Sequence, residues 1–206
     1  MNKWKKSVRS LCLGMALMMS VSWTAFAATD GATGPGQAAG GTVSGAVPSG
    51  ATVTLQNAAQ PTVAAQGAVL YDATHNQFLF SKNADTQYYP ASITKLMTAL
   101  LVAENCNLSD TVTFSQTAVS NLESGAVTLQ VKAGDTFTVK DCLYGLLLKS
   151  ANEVANGLAE HVSGSVSAFA DLMNTKAKEL GCKNTHFANP HGLNNKNHKT
   201  TPYDMA

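Results

Sequence analysis

Charge is scarce in this chain. Of its 206 residues only 13% are Asp, Glu, Lys or Arg, and the 14 basic and 13 acidic side chains nearly cancel. A net charge of +1 argues against nucleic-acid binding, which needs a basic face to offset phosphates. The shortage does not signal disorder either, because 45% of the residues are hydrophobic and a charge-driven disordered chain has few. No acid occurs before Asp30, whereas Lys3, Lys5, Lys6 and Arg9 crowd the start. With those four set aside, ten of the 14 basic residues face 13 acids, a mildly acidic remainder that does not favour an anionic partner. Cysteine is also sparse: Cys12, Cys106, Cys142 and Cys182 are too widely spaced for the dense disulfide framework of a small secreted domain. They read as buried apolar thiols, with one bridge among the last three left open. Long hydrophobic runs are missing too. The run from Leu11 to Phe26 is about 16 residues, short of the roughly 20 that cross a bilayer.

What is present begins with that run. A basic start, an apolar stretch and Ala25-Phe26-Ala27 describe a secretory signal peptide over residues 1–27, so the protein is expected to be exported and to work in the cell envelope. Residues 28–66 are Gly, Ala, Thr, Ser and Pro with little bulky apolar material, and predict a flexible spacer. The globular part is expected over 67–206. Ala68–Tyr71 and Gln77–Phe80 flank a polar turn and predict a hairpin. Pro90 opens a helix expected from Ser92 to Glu104, with Leu96, Leu100 and Leu101 at helical spacing. Thr128–Val131 and Thr136–Val139 flank Ala133-Gly134-Asp135 and predict a second hairpin. Thr138 with Asp141 resembles a capping box ahead of a helix to Leu148. Further helices are expected from Asn152 to His161 and from Ser165 or Ser167 to Gly181, and a loop over 182–201.

The chemistry gathers at Ser92-Ile93-Thr94-Lys95. Positions i and i+3 share a helix face about 5–6 Å apart, and Ser92 would stand at a positive helix N-terminus. A lysine held there half buried has its charged form disfavoured, and when neutral it can take a proton from a serine hydroxyl. Taken singly, the motif is better explained by a serine helix cap. Ser150-Ala151-Asn152 falls between two apolar helices; Ser150 could relay a proton, and the Asn152 amide could both donate to and accept from a peptide. Its simpler alternative is a helix break capped by Ser150. The conjunction of both motifs after an export signal is far more specific than either.

Together these residues resemble the serine D-alanyl-D-alanine carboxypeptidases, the low-molecular-weight penicillin-binding proteins. The resemblance runs from Ala68 to Ala206 through Pro90-Ala91-Ser92-Ile93-Thr94-Lys95-Leu96, Gly134-Asp135-Thr136, Ser150-Ala151-Asn152-Glu153, Asn184-Thr185-His186-Phe187 and Pro190-His191-Gly192-Leu193. It implies an α/β (α+β) fold of the serine β-lactamase and penicillin-binding type, an antiparallel sheet packed on a helical region. It further implies Ser92 as acylated nucleophile, Lys95 as general base, Ser150 as proton shuttle and Asn152 as holder of the substrate backbone. The substrate implied is a peptidoglycan stem peptide ending in D-Ala-D-Ala, with β-lactams as inhibitors and no metal or organic cofactor. The family's third motif, K-T-G on a later strand, is absent: Lys199-Thr200-Thr201 lacks the glycine, and Lys132-Ala133-Gly134 precedes the second motif. The expectation is therefore a C-terminally truncated, inactive stretch without the later strands, whose membrane contact is limited to the export signal or a lost anchor. Two alternatives stand beside this. One is a non-catalytic peptidoglycan-binding envelope protein. The other is a class A-like β-lactamase, disfavoured because none of Glu104, Glu123, Glu153, Glu160 or Glu179 has Asn four positions on. His186, His191, His198 and Cys182 fit no compact zinc spacing.

Overall fold

The computed structural model describes residues 61–206 apart from Asn121. The expected signal peptide and most of the expected spacer lie outside the described residues. The last spacer residues are tied to the folded part: Lys82 Nζ donates to the Val63 carbonyl at 2.9 Å, and Asn83 Nδ2 to that of Gln66 at 2.6 Å.

The first hairpin forms where the β-type runs predict it. β1 (Ala68–Asp72) pairs antiparallel with β2 (Gln77–Lys82), in a register that shifts between Leu70 and Tyr71. Asp72 builds the turn by accepting the N–H groups of Thr74 (2.9 Å) and His75 (3.1 Å). The second hairpin does not form. β4 (Thr136–Thr138) pairs with β3 (Thr111–Thr113) instead, and 128–131 is not a strand. Val112, which is fully buried, makes β3 the better partner: its inward side chain joins the core, while Leu129 remains 46% exposed.

The long helices follow the sequence closely. A 3-10 turn (Ala91–Ile93) leads into α1 (Thr94–Asn105), so Ser92 lies on the tighter turn and not inside the α-helix. The buried stripe of α1 is Thr94, Lys95, Thr98, Leu101 and Val102, and Leu96, expected at core spacing, points outward. Next come the short α2 (Gln116–Val119) and then α3 (Val139–Leu148), whose cap Thr138 Oγ1 accepts the Asp141 N–H at 3.1 Å as the capping box predicts. α4 (Asn152–Ser163) is capped at Ala151 and not by the Ser150 hydroxyl. α5 (Val166–Glu179) is capped by Ser165 and followed by Gly181 at φ 88°, and α6 (Pro202–Met205) closes the described chain.

α4 is the axis of the core. Asn152 to Ala159 are all buried, with Val154, Ala155 and Leu158 packed on Val102, Val112, Phe114 and Leu146 on one side. Ala159 meets Leu101, Phe169, Met173 and Phe187 on the other. Small residues let neighbours approach: a Cβ on Gly157 would lie 2.4 Å from the Phe114 ring. Burying a Leu or Phe at such a site contributes roughly 1.5–3 kcal/mol. The effect is to hold the N-terminus of α4 beside that of α1. Cys106, Cys142 and Cys182 are free thiols, so the open disulfide is not formed, and burial pushes the Cys142 thiol up to about 12.

Candidate active site

Two strained residues present the hydroxyls. Ala91 (φ 49°) precedes Ser92, and Ser150 (φ 58°) precedes α4; both adopt the left-handed region that non-glycine residues avoid. The result is that Ser150 Oγ donates to Ser92 Oγ at 2.9 Å, across 58 residues of sequence. Ser92 itself is exposed.

Lys95 comes up beneath them from the first turn of α1, only 2% exposed. Its ammonium reaches three acceptors: Ser92 Oγ at 3.3 Å, Asn152 Oδ1 at 2.9 Å and the His191 carbonyl at 2.8 Å. No carboxylate is among them. Burial therefore lowers its pKa to about 8, without an ion pair to restore it. A neutral amine has two N–H groups and one lone pair. With Asn152 and His191 taking the two hydrogens, the lone pair is left for the Ser92 hydroxyl. Ser150 reaches Lys95 only through Ser92 Oγ in this arrangement.

Asn152 is expected at the substrate, yet its amide is largely engaged within the protein. Nδ2 donates to the Val127 carbonyl at 3.0 Å, and the Asn152 backbone N–H meets the same oxygen at 3.0 Å. That pairing fixes which end of the amide faces Lys95.

Motif reading alone assigned no role to the loop over 186–200. Asn189 Oδ1 accepts the N–H groups of His191 and Gly192 at 3.3 and 2.7 Å, shaping a turn with Gly192 at φ 88°. A Cβ on Gly192 would lie 1.9 Å from the Ala91 carbonyl oxygen, so this turn is pressed against the backbone that carries Ser92. Thr98 Oγ1 donates to the Pro190 carbonyl at 2.6 Å. His198 Nδ1 accepts the Ala188 N–H at 3.0 Å, which puts its proton on Nε2, 2.7 Å from Thr94 Oγ1. Burial lowers both His191 and His198 to about 4, helped at His191 by the nearby Lys95 charge. Lys199 sits 3.2 Å over the Tyr89 ring, and Thr200 bridges the Tyr88 backbone.

Two cavities are lined by residues adjacent in sequence to the serines, Lys149 in one and Ile93 in the other. One of about 500 Å³ is lined by Leu129, Phe137, Tyr144, Leu148 and Lys149. Another of about 420 Å³ lies between Tyr88, Tyr89, Ile93 and Thr200.

A serine exposed on the turn before a helix, a buried lysine of lowered pKa one turn on and a second serine from a helix junction define a serine–lysine acyl-transfer arrangement on an α+β frame. Solved structures carry the same frame. The D-alanyl-D-alanine carboxypeptidase DacD from Francisella tularensis superposes with a TM-score of 0.69 at 34% identity, over 76% of this chain and 38% of that one. Penicillin binding protein 5 from Haemophilus influenzae gives 0.69 at 32% identity, over 73% and 45%. This is the penicillin-binding fold. A sequence model described as D-alanyl-D-alanine carboxypeptidase matches residues 54–206, and the chain belongs to that family. Among curated relatives, DacF of Bacillus subtilis is 40% identical over 147 residues, 69% of this chain and 37% of its own length. The chain thus spans less than half the length of such relatives.

Proposed function

We propose that the protein is a serine D-Ala-D-Ala carboxypeptidase that removes the terminal D-alanine from peptidoglycan stem peptides. The observation that carries this reading is Lys95: buried, lowered to about 8, and 3.3 Å from the Ser92 hydroxyl it would deprotonate. Ser92 Oγ attacks the carbonyl between the two D-alanines, its proton passing to Lys95 Nζ. The proton is then delivered to the departing D-alanine amine, with Ser150 as the relay, leaving an ester on Ser92. Water hydrolyses that ester by the same route in reverse. Asn152 keeps one amide hydrogen for the substrate backbone after Val127 has taken the other. The strained amide of a β-lactam would acylate Ser92 in the same way and leave slowly.

Support for an extracytoplasmic setting comes from the basic start, the apolar run and Ala25-Phe26-Ala27, together with a family whose relatives are named for a cell-wall dipeptide. Among the described residues no helix is long and apolar enough to cross a membrane.

The test uses the full-length protein and a fluorescent penicillin. Labelling is expected on the wild type, located at Ser92 by peptide mass, and absent from Ser92→Ala. A Ser92→Ala protein that still labels would remove Ser92 from its role.

A further inference from the structure

Outside the serine–lysine cluster, α4 buries two polar atoms that have no hydrogen-bond partner among the described residues: Glu153 Oε2 and Asn156 Oδ1. Three residues apart, they share one face of the helix. The residues are only 1% and 6% exposed. Buried acceptors without donors are unusual in a native fold and ask for a reason. The other end of each side chain supplies one. Glu153 Oε1 accepts the Leu129 N–H, and Asn156 Nδ2 donates to the Ala118 carbonyl at 3.1 Å. Glu153 holds residues 122–131 at Leu129, and Asn156 holds the chain ahead of them at Ala118.

That stretch carries Val127, whose carbonyl receives both the Asn152 N–H and Asn152 Nδ2 at 3.0 Å. Just past the anchored Leu129, Gln130 sits at φ 59°, a conformation its side chain disfavours. The segment is not a strand and has no ladder to hold it, so apart from the Asn152 backbone N–H it is side-chain anchors that hold Val127 in place.

We infer that Glu153 is a positioning residue. Its carboxylate pins Leu129, and through it Val127, so that the Asn152 amide turns its oxygen and not its nitrogen toward Lys95. Were the amide to turn over, Lys95 would face a donor and lose one of its acceptors. Glu153 touches no reacting atom. The inference rests on reading Ser92 and Lys95 as nucleophile and base, but the anchoring can be measured without any activity.

The charge of Glu153 is not what the geometry uses. Glutamine at this position keeps an oxygen for the Leu129 N–H and adds an amide donor where two acceptors now lack one. Alanine removes the anchor. In the full-length protein, Glu153→Ala is expected to lower the second-order rate of penicillin labelling about 10- to 100-fold, while Glu153→Gln stays within about threefold of wild type. Hydrogen exchange at the Leu129 amide, and at the Asn152 side-chain amide, should quicken in Glu153→Ala and remain slow in Glu153→Gln. Should Glu153→Ala fail to fold, Glu153→Asp, whose carboxylate stops one methylene short of Leu129, is expected to behave as the alanine variant does. Wild-type labelling rates in Glu153→Ala or Glu153→Asp would overturn the proposal, and so would a glutamine variant as slow as either. If the wild type is not labelled at Ser92, the functional reading fails, and the exchange of the Asn152 amide still decides the positioning role: no change on losing Glu153 sinks it.

Discussion

At the scale of the residue, the proposed chemistry turns on how Lys95 is kept from being an ordinary surface cation. Its partners are a hydroxyl, an amide oxygen and a peptide carbonyl, dipoles that orient the ammonium without the stabilisation a carboxylate would give. With a pKa of about 8, roughly one molecule in ten carries the free amine at pH 7. The rate of penicillin labelling should therefore climb close to tenfold per pH unit below about 8 and level off above it. Stopped-flow labelling from pH 5.5 to 9.5 reads this directly, and a profile flat across that range would take the role of base away from Lys95. Lys95→Arg should abolish labelling while keeping the positive charge, because a guanidinium does not release its proton near neutrality. Sequence spacing already pairs Ser92 with Lys95. It does not reveal the His191 and Val127 carbonyls that orient Lys95 and Asn152, since any residue type supplies a carbonyl and only the folded loop puts it there.

At the scale of the element, local signals proved readable and long-range pairing did not. Hairpin β1–β2 closes over a four-residue turn whose Asp72 is visible in the sequence, α3 and α5 begin at the expected caps Thr138 and Ser165, and α4 begins at the expected Asn152 without the Ser150 cap. The segment 128–131 has the same β-type composition as β1 but becomes an anchored, non-strand segment, because β4 finds Thr111–Thr113 across more than twenty residues. Composition says that a strand could form; only packing of Val112 says with which partner. Leu96 failed for the converse reason: Thr94 and Thr98 occupy the inward stripe by bonding His198 and the Pro190 carbonyl. Two glycines separate the roles of these elements. Gly157→Ala pushes a methyl group into Phe114 and should cost about 1–3 kcal/mol of stability, with the pH midpoint for labelling unchanged. Gly192→Ala meets the Ala91 carbonyl at φ 88° and should displace the Ser92 turn, lowering labelling by at least tenfold in protein that remains folded. Equal effects of the two on labelling would mean that the turn at Gly192 does not hold Ser92 in place.

At the scale of the whole molecule, site and core share one set of buried polar groups, so acid should loosen both together. His191 and His198 are lowered to about 4 from 6.5, chiefly by burial, with Lys95 and His198 charge adding to it at His191 and His186 charge at His198. In the unfolded chain they bind protons near 6.5, so between about 6.5 and 4 the unfolded state holds more protons than the native one. Their contribution to stability is then complete above pH 6.5 and is lost as pH falls toward 4. A shift of this size corresponds to roughly 3 kcal/mol per histidine as an upper bound. Protonating His198 forces a second hydrogen onto Nδ1, which now accepts the Ala188 N–H, so the loop over 186–200 is the part that lets go. Because that loop delivers the His191 carbonyl to Lys95 and presses Gly192 on Ala91, acid loosening should disable the site before the helical core melts. The melting temperature should fall by several degrees from pH 7 to 4.5, with exchange at the Ala188 amide quickening first. His198→Gln, which has no such proton to take up, should start less stable at pH 7 and show a shallower decline. Carboxylates titrate in the same range, so the difference between the two slopes is the quantity to measure. Equal slopes for wild type and His198→Gln would show that the acid response comes from those carboxylates and not from the buried imidazole beneath Thr94.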